Sequence, residues 1–235
     1  MIVAIDGPAG SGKSSTARAV ADRLGFRHLD SGAWYRALTL CARLDGIPAA
    51  AWSALEARDV AALGVTAEPS EDGFRLLRRG VPIPDEDLRA EAVTAQVSLM
   101  ASLAPVRAWL LERQREQAAA TDVVVDGRDI GTVVFPDAEL KVYLDAYPHV
   151  RALRRLLQRD VEEPSSRQIF EEAARLKERD RRDAGREIAP LRRAPDAVLV
   201  DTSDLTFHEQ VDAVVELARK RLRGLDPPGH LSYDI

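Results

Sequence analysis

The chain has 235 residues, enough for one α/β domain carrying an insertion, and 46% of them are hydrophobic, so a core can form. Charged residues make up 30% and the net charge is −5, which excludes a globally basic protein built for nucleic acid or a membrane surface. The single cysteine, Cys41, excludes a disulfide within the chain, and with His28, His149, His208 and His230 scattered there is no zinc-site spacing. Cys41 falls among Leu38, Leu40, Ala42 and Leu44 and is expected to pack rather than react. A reducing compartment follows, and the first apolar run is short and lacks a basic flank, so the expected location is cytoplasmic. The charge is uneven. Between Arg151 and Arg193, 12 arginines and 1 lysine face 9 carboxylates, a local +4 that suits a polyanionic ligand.

The chain opens on Ile2-Val3-Ala4-Ile5, an apolar strand that runs into Asp6 and a glycine-rich turn. From Gly7 to Ser14 that turn matches G-x-x-x-x-G-K-[ST], and Ala17, Val20, Ala21 and Leu24 follow at helical spacing. Strand, glycine loop and helix together give a phosphate-binding loop, or P-loop. Gly7, Gly10 and Gly12 let the turn Pro8-Ala9-Gly10-Ser11 bend so that successive backbone N–H groups from Ala9 on to Ser14-Ser15 converge on an anion, with the helix N-terminus behind it. Lys13 brings a point charge to the outer phosphates, and the Ser14 hydroxyl suits Mg²⁺.

Gly25 reads as the end of this helix, and residues 27–29 as a second strand. Ser31 is the expected cap of a helix running to about Leu44, and residues 50–63 form a further helical run. Residues 64–68 and 74–78 flank a turn-forming stretch and predict a hairpin. Val81-Pro82-Ile83-Pro84 must lie at an edge or in an extended connection, because proline removes ladder donors. Helical spacing returns over 87–97 and 104–119. Val123-Val124-Val125 is an uninterrupted β-branched run, as in a strand buried on both faces, and it ends in Asp126-Gly127-Arg128-Asp129. Residues 140–144 and 197–200 are the remaining strands, ending at Asp145 and Asp201. Two arginine-rich helices over 149–160 and 166–184, a closing helix over 206–223 and a loose tail after Gly224 complete the chain.

Five strands alternating with helices predict a doubly wound parallel sheet with ligands at the carboxyl ends of the strands. There is no Asn-Lys-x-Asp stretch to read guanine and no apolar strand closed by paired carboxylates, as a motor ATPase would carry. Instead Arg36, Arg128, Arg179 and Arg186 stand at strand ends or in the basic region. Phosphoryl transfer requires positioning and charge neutralisation, and a second phosphate ester requires its own guanidinium cluster. The pattern therefore suggests a kinase whose acceptor already carries a phosphate. Trp34, Trp52 and Trp109 are expected in packing roles.

Four ordered blocks carry a family resemblance: Asp6 to Ser14, Asp30 to Arg36, the Asp-Gly-Arg-Asp-Ile-Gly-Thr-Val-Val-Phe-Pro run over 126–136, and Lys177 to Asp183. In these the chain resembles bacterial cytidylate kinase, a P-loop nucleoside-monophosphate kinase. The resemblance implies a five-stranded core over 1–35, 120–150 and 185–224, a nucleoside-monophosphate-binding domain over 36–119 with a β insertion near 64–84, a short helical lid over 151–184 and a tail over 225–235. It implies transfer of the γ-phosphoryl group of ATP, with Mg²⁺, to CMP and dCMP. Lys13, Arg128, Arg179 and Arg186 would be catalytic, and Gly7 to Ser15 would hold ATP. Arg36, Arg128 and Arg186 would hold the CMP phosphate. Ser98, Arg107 and Asp129 would read the cytosine edge, Arg179 and Asp183 the ribose, and Ser31 would lie near the acceptor. Arg154 or Arg155 would close over ATP, with the adenine resting at Asp201-Thr202-Ser203. Where the family often has Ile-Arg-Thr, this chain has Leu88-Arg89-Ala90.

Two other readings stay open on the sequence. One is a P-loop kinase for another acceptor such as UMP, and the other is an ATP-binding sensor without turnover. A monomer working on small nucleotides, with neither nucleic acid nor membrane as partner, is the expected state.

Overall fold

The computed structural model describes residues 1–71, 73–119 and 121–225. Residues 226–235 of the expected tail lie outside them. Elements follow in the order β1 (Ile2–Asp6), α1 (Lys13–Leu24), β2 (Arg27–Asp30), α2 (Ser31–Leu44), α3 (Ala57–Ala62), β3 (Val65–Ser70), β4 (Gly73–Arg78), β5 (Val81–Pro82), α4 (Asp85–Arg89), α5 (Glu91–Met100), α6 (Ala104–Ala118), β6 (Val123–Gly127), β7 (Leu140–Asp145), α7 (Pro148–Leu157), α8 (Ser166–Ala184), β8 (Val198–Asp201) and α9 (Phe207–Leu222). The main sheet has five strands in the order β2-β6-β1-β7-β8, and the pairings of β1 with β6 and β7, and of β7 with β8, are parallel. The chain forms two compact units, the first of residues 1–26 and 122 onward and the second of residues 27–121.

The first unit is built on strands that face apolar neighbours on both sides. Val3, Ala4, Ile5, Val123, Val124 and Val125 are fully buried, as the β-branched runs predict. Ala17, Val20 and Ala21 of α1 and Val211, Val214, Val215 and Leu217 of α9 close one core against Val3, Ile5, Val142 and Leu144. Full burial of each such Val or Leu side chain contributes about 1.5–3 kcal/mol. Residue caps fix where helices begin. Ser165 with Gln168 and Thr206 with Glu209 form capping boxes for α8 and α9. Gly25, at φ 70°, ends α1 in the left-handed conformation that glycine adopts without strain.

The second unit corrects several sequence expectations. Asp30, not Ser31, caps α2: its carboxylate accepts from the Ala33 N–H at 2.9 Å, and Ser31 is the first helical residue. Asp and Ser cap about equally well, and β2 simply runs one residue further than expected. The helical run over 50–63 divides into a 3₁₀ segment, Ala49–Ala54, and α3, because Leu55 and Glu56 are extended. The run over 87–97 divides at Ala90 into α4 and α5. The hairpin is present as β3 and β4, with the two-residue β5 at its edge where the prolines allow it. Trp52 is buried, and Trp34 and Trp109 meet edge-to-face at 6.1 Å, so all three pack as expected.

Candidate functional site

The phosphate loop lies between β1 and α1. Gly7 is required by space: a Cβ there would stand 2.2 Å from the Leu144 carbonyl oxygen. Gly12, at φ 84°, stands at the N-cap of α1 and offers no side-chain cap, so the first amides of this helix stay directed at the loop. Lys13 is buried, and its Nζ donates to the Pro8 carbonyl at 3.3 Å, spanning the loop. Ser11 Oγ is also buried and has no hydrogen-bond partner among the described residues. Ser15 is exposed on the first turn.

Ser14 Oγ donates to Asp126 at 2.5 Å, from the first turn of α1 to the end of β6. Sequence reasoning proposed Ser14 alone for the metal and missed Asp126. No group of three or more His, Cys, Asp or Glu that could hold a metal occurs among the described residues. One hydroxyl and one carboxylate are the hard donors expected for Mg²⁺, which keeps several waters and takes its remaining ligands from substrate phosphates. The pair fits that ion and not a dedicated protein cage.

The Asp126-to-Asp129 block continues into a π-helical turn over Ile130–Val134 that the sequence did not suggest. Asp6 explains how it is held. Its buried carboxylate accepts from the Ile130 and Gly131 amides, each at 2.8 Å. Burial pushes the Asp6 pKa up to about 7 against the lowering pull of those two amides, with Asp129 adding to the rise and Arg128 opposing it. Asp129, itself buried, opens the turn by accepting from the Val133 and Val134 amides at its carbonyl.

The structure brings three of the expected acceptor residues together around one carboxylate. Asp183 Oδ2 accepts from Arg128 Nε at 3.1 Å, and Asp183 Oδ1 accepts from Arg186 Nη2 at 2.5 Å. Asp183 is 1% exposed. Burial alone would raise its pKa, but the charges of Arg128, Arg186 and Arg179 outweigh it and hold the carboxyl below its ordinary value. The ion pair of Arg128 is therefore with Asp183 of α8, and Asp183 orients the guanidinium groups. At the end of β8, Arg154 donates to Thr202 Oγ1 at 2.9 Å, to the Thr202 carbonyl at 2.6 Å and to the Leu205 carbonyl at 3.3 Å. That places Arg154, of the two lid candidates, beside Asp201-Thr202-Ser203; Arg155 is half-buried on the same helix.

In the second unit Arg36 Nη1 donates to Thr94 Oγ1 at 2.8 Å and to the Leu88 carbonyl at 3.2 Å. Arg107 is buried, donates to the Ala101 carbonyl at 3.1 Å and lies 5.7 Å from the Tyr35 ring centroid. Ser98 is half-buried on α5. Ser31 is buried and accepts from Gln114 Nε2 of α6 at 3.0 Å, a partner the sequence did not reveal. None of the described helices is long and apolar enough to cross a membrane.

A parallel sheet with a glycine loop at the end of β1, Ser14 paired with Asp126 and arginines gathered on Asp183 define a P-loop nucleotide-binding protein. The cytidylate kinase family profile matches residues 3–220. A cytidylate kinase of Chlorobaculum tepidum is 44% identical over 224 residues, covering 94% of this chain and 93% of that protein. Cytidylate kinases of a Geobacter species (strain M21) and of Mycobacterium avium are 40% and 42% identical, each covering 94% of this chain and 94% and 96% of their own length. The chain belongs to the cytidylate kinase family.

Proposed function

We propose that this enzyme transfers the γ-phosphoryl group of ATP to CMP, giving CDP and ADP, and that dCMP is also an acceptor. Family membership over nearly the whole chain is the observation that carries this reading. The residues then take roles by chemistry. Gly7 to Ser15 hold the triphosphate of ATP, with the Lys13 charge and the Ser11 hydroxyl among the donors. Ser14 and Asp126 would hold Mg²⁺, which supplies charge neutralisation to the phosphates when bound. Arg36, Arg128 and Arg186 take the CMP phosphate, and Arg179 stabilises the transferring group. Ser98, Arg107 and Asp129 supply the hydroxyl, guanidinium and carboxylate that match cytosine's acceptors and amino donor. Asp183 holds the arginines and, with Arg179, contacts the ribose; Ser31 lies near the acceptor.

We read residues 151–184 as the lid, 36–119 as the acceptor-binding domain and the remainder to 224 as the core. A cytoplasmic monomer is the working state of this proposal, and the free, buried Cys41 fits its reducing compartment. ADP release measured with CMP, dCMP, UMP, AMP, GMP or no acceptor tests the reading. CMP and dCMP should be fastest. ADP release as fast without acceptor as with CMP, or as fast with UMP, would overturn it.

A further inference from the structure

We propose that Arg151 and Asp180 are a positioning pair that holds the phosphate loop in its anion-binding shape. The proposal rests on the reading of Gly7 to Ser14 as the ATP loop. The two residues take hold of the two successive peptide units that flank the Ala9 Cα. The Ala9 N–H donates to Asp180 Oδ1 at 2.8 Å, and the Ala9 carbonyl accepts from Arg151 Nη1 at 3.0 Å. The same Arg151 Nη1 donates to Asp180 Oδ2 at 2.5 Å, and Arg151 Nε donates to the Ala146 carbonyl at 3.0 Å. One guanidinium thus joins the end of β7, the loop and α8.

The surroundings make this arrangement stiff. The Arg151 side chain is 9% exposed and that of Asp180 17%. Ala9 packs against Ala152 of α7 and Leu176 of α8. At Gly10, at φ 77°, a Cβ would come within 3.0 Å of the Arg151 carbonyl oxygen and 3.2 Å of Leu176 Cδ1. A glycine loop gains its anion-binding shape at the expense of backbone entropy, so any contact that restricts it beforehand strengthens ligand binding. The Ala9 amide is occupied by a protein carboxylate, so its role is to shape the loop and not to touch phosphate. Asp180 also follows Arg179 and precedes Asp183, the carboxylate that holds Arg128 and Arg186. One turn of α8 therefore fixes the donor loop and the acceptor arginines together.

The test measures the Kd for ATP by equilibrium titration, together with the KM for CMP and the Tm, on the full chain and its variants. Arg151→Ala and Asp180→Ala should each weaken ATP by about 10–100-fold, the range expected when a charge-assisted hydrogen bond is lost. The double variant should be no weaker than the worse single one, because the pair acts as a unit. Arg151→Lys keeps the charge but not the fork and should recover only part of the affinity. Asp180→Asn keeps size and one acceptor; it decides the matter if the alanine variants fail to fold, and should weaken ATP by about 3–10-fold at near-native Tm. ATP affinity within about twofold of wild type in a folded Asp180→Asn and Arg151→Lys, with only Tm lowered, would overturn the proposal. If the wild-type chain itself bound no ATP, the loop reading would fall, and that outcome is distinct from a pair that leaves affinity unchanged.

Discussion

Asp183 shows how a single carboxylate can serve two arginines that the sequence only suggested were related. It lies three residues before Arg186 but 55 residues after Arg128, so only the fold reveals the second pairing. Asp183→Asn should lower kcat/KM for CMP by about 10²-fold, since misplaced donors forfeit transition-state stabilisation, while ATP affinity changes little. Its effect on stability has a definite sign. The folded pKa lies below the ordinary 3.8, so the carboxylate contributes stability that is present above pH 3.8 and lost as pH falls further. The stability difference between wild type and Asp183→Asn, measured by denaturant unfolding, should therefore shrink below that pH. Asp6 carries the opposite sign. Its pKa rises from 3.8 to about 7, so its protonated form favours the fold and that contribution declines between those values as pH rises. The unfolding free energy of wild type minus that of Asp6→Asn should fall across this window, and a flat difference would contradict the assignment. The partners of Asp6, Gln114 and Asp180 escaped the sequence for one reason: they lie 124 or more, 83 and 171 residues away.

At the scale of elements, what was legible was what local chemistry dictates. The β1–loop–α1 unit could be read whole, because glycine spacing, an apolar run and a helical face all lie within one stretch. The strands of the first unit were legible to within a residue or so because their burial on both faces imposes continuous apolar runs. The breaks at Leu55-Glu56 and Ala90 were not, since no glycine stands there and the apolar spacing continues through them. The π-helical turn over Ile130–Val134 was hidden as well, because its shape depends on Asp6 from another strand. Gly7→Ala tests the loop element directly. The added methyl meets the Leu144 backbone, which cannot turn aside, so the loop must shift and ATP affinity should fall by at least about 10-fold. Near-native ATP binding in that variant would show that the close approach is unimportant.

For the whole molecule, the net charge of −5 conceals the basic region where the arginines gather, a local charge that suits the phosphate-bearing substrates proposed above. The sequence blocks that carry family membership are spread over most of the chain, so the resemblance could propose acceptor residues where local reading gave only arginines at strand ends. Binding of ATP to the folded state alone should stabilise the protein by about 2.7 kcal/mol at a hundredfold excess over Kd. A thermal melt should show that shift in wild type and a much smaller one in Lys13→Ala, which loses the loop's charge.

The central claim is that the phosphate loop provides the donor while Asp129 sets which acceptor is used. The direct measurement is kcat/KM for CMP and for UMP in wild type and in Asp129→Ala. Wild type should favour CMP by at least about 10²-fold, because a carboxylate that accepts from the cytosine amino group repels the uracil carbonyl. In Asp129→Ala that ratio should collapse toward one while ATP affinity is retained. A wild-type ratio near one, or a ratio unchanged by the substitution, would contradict the account.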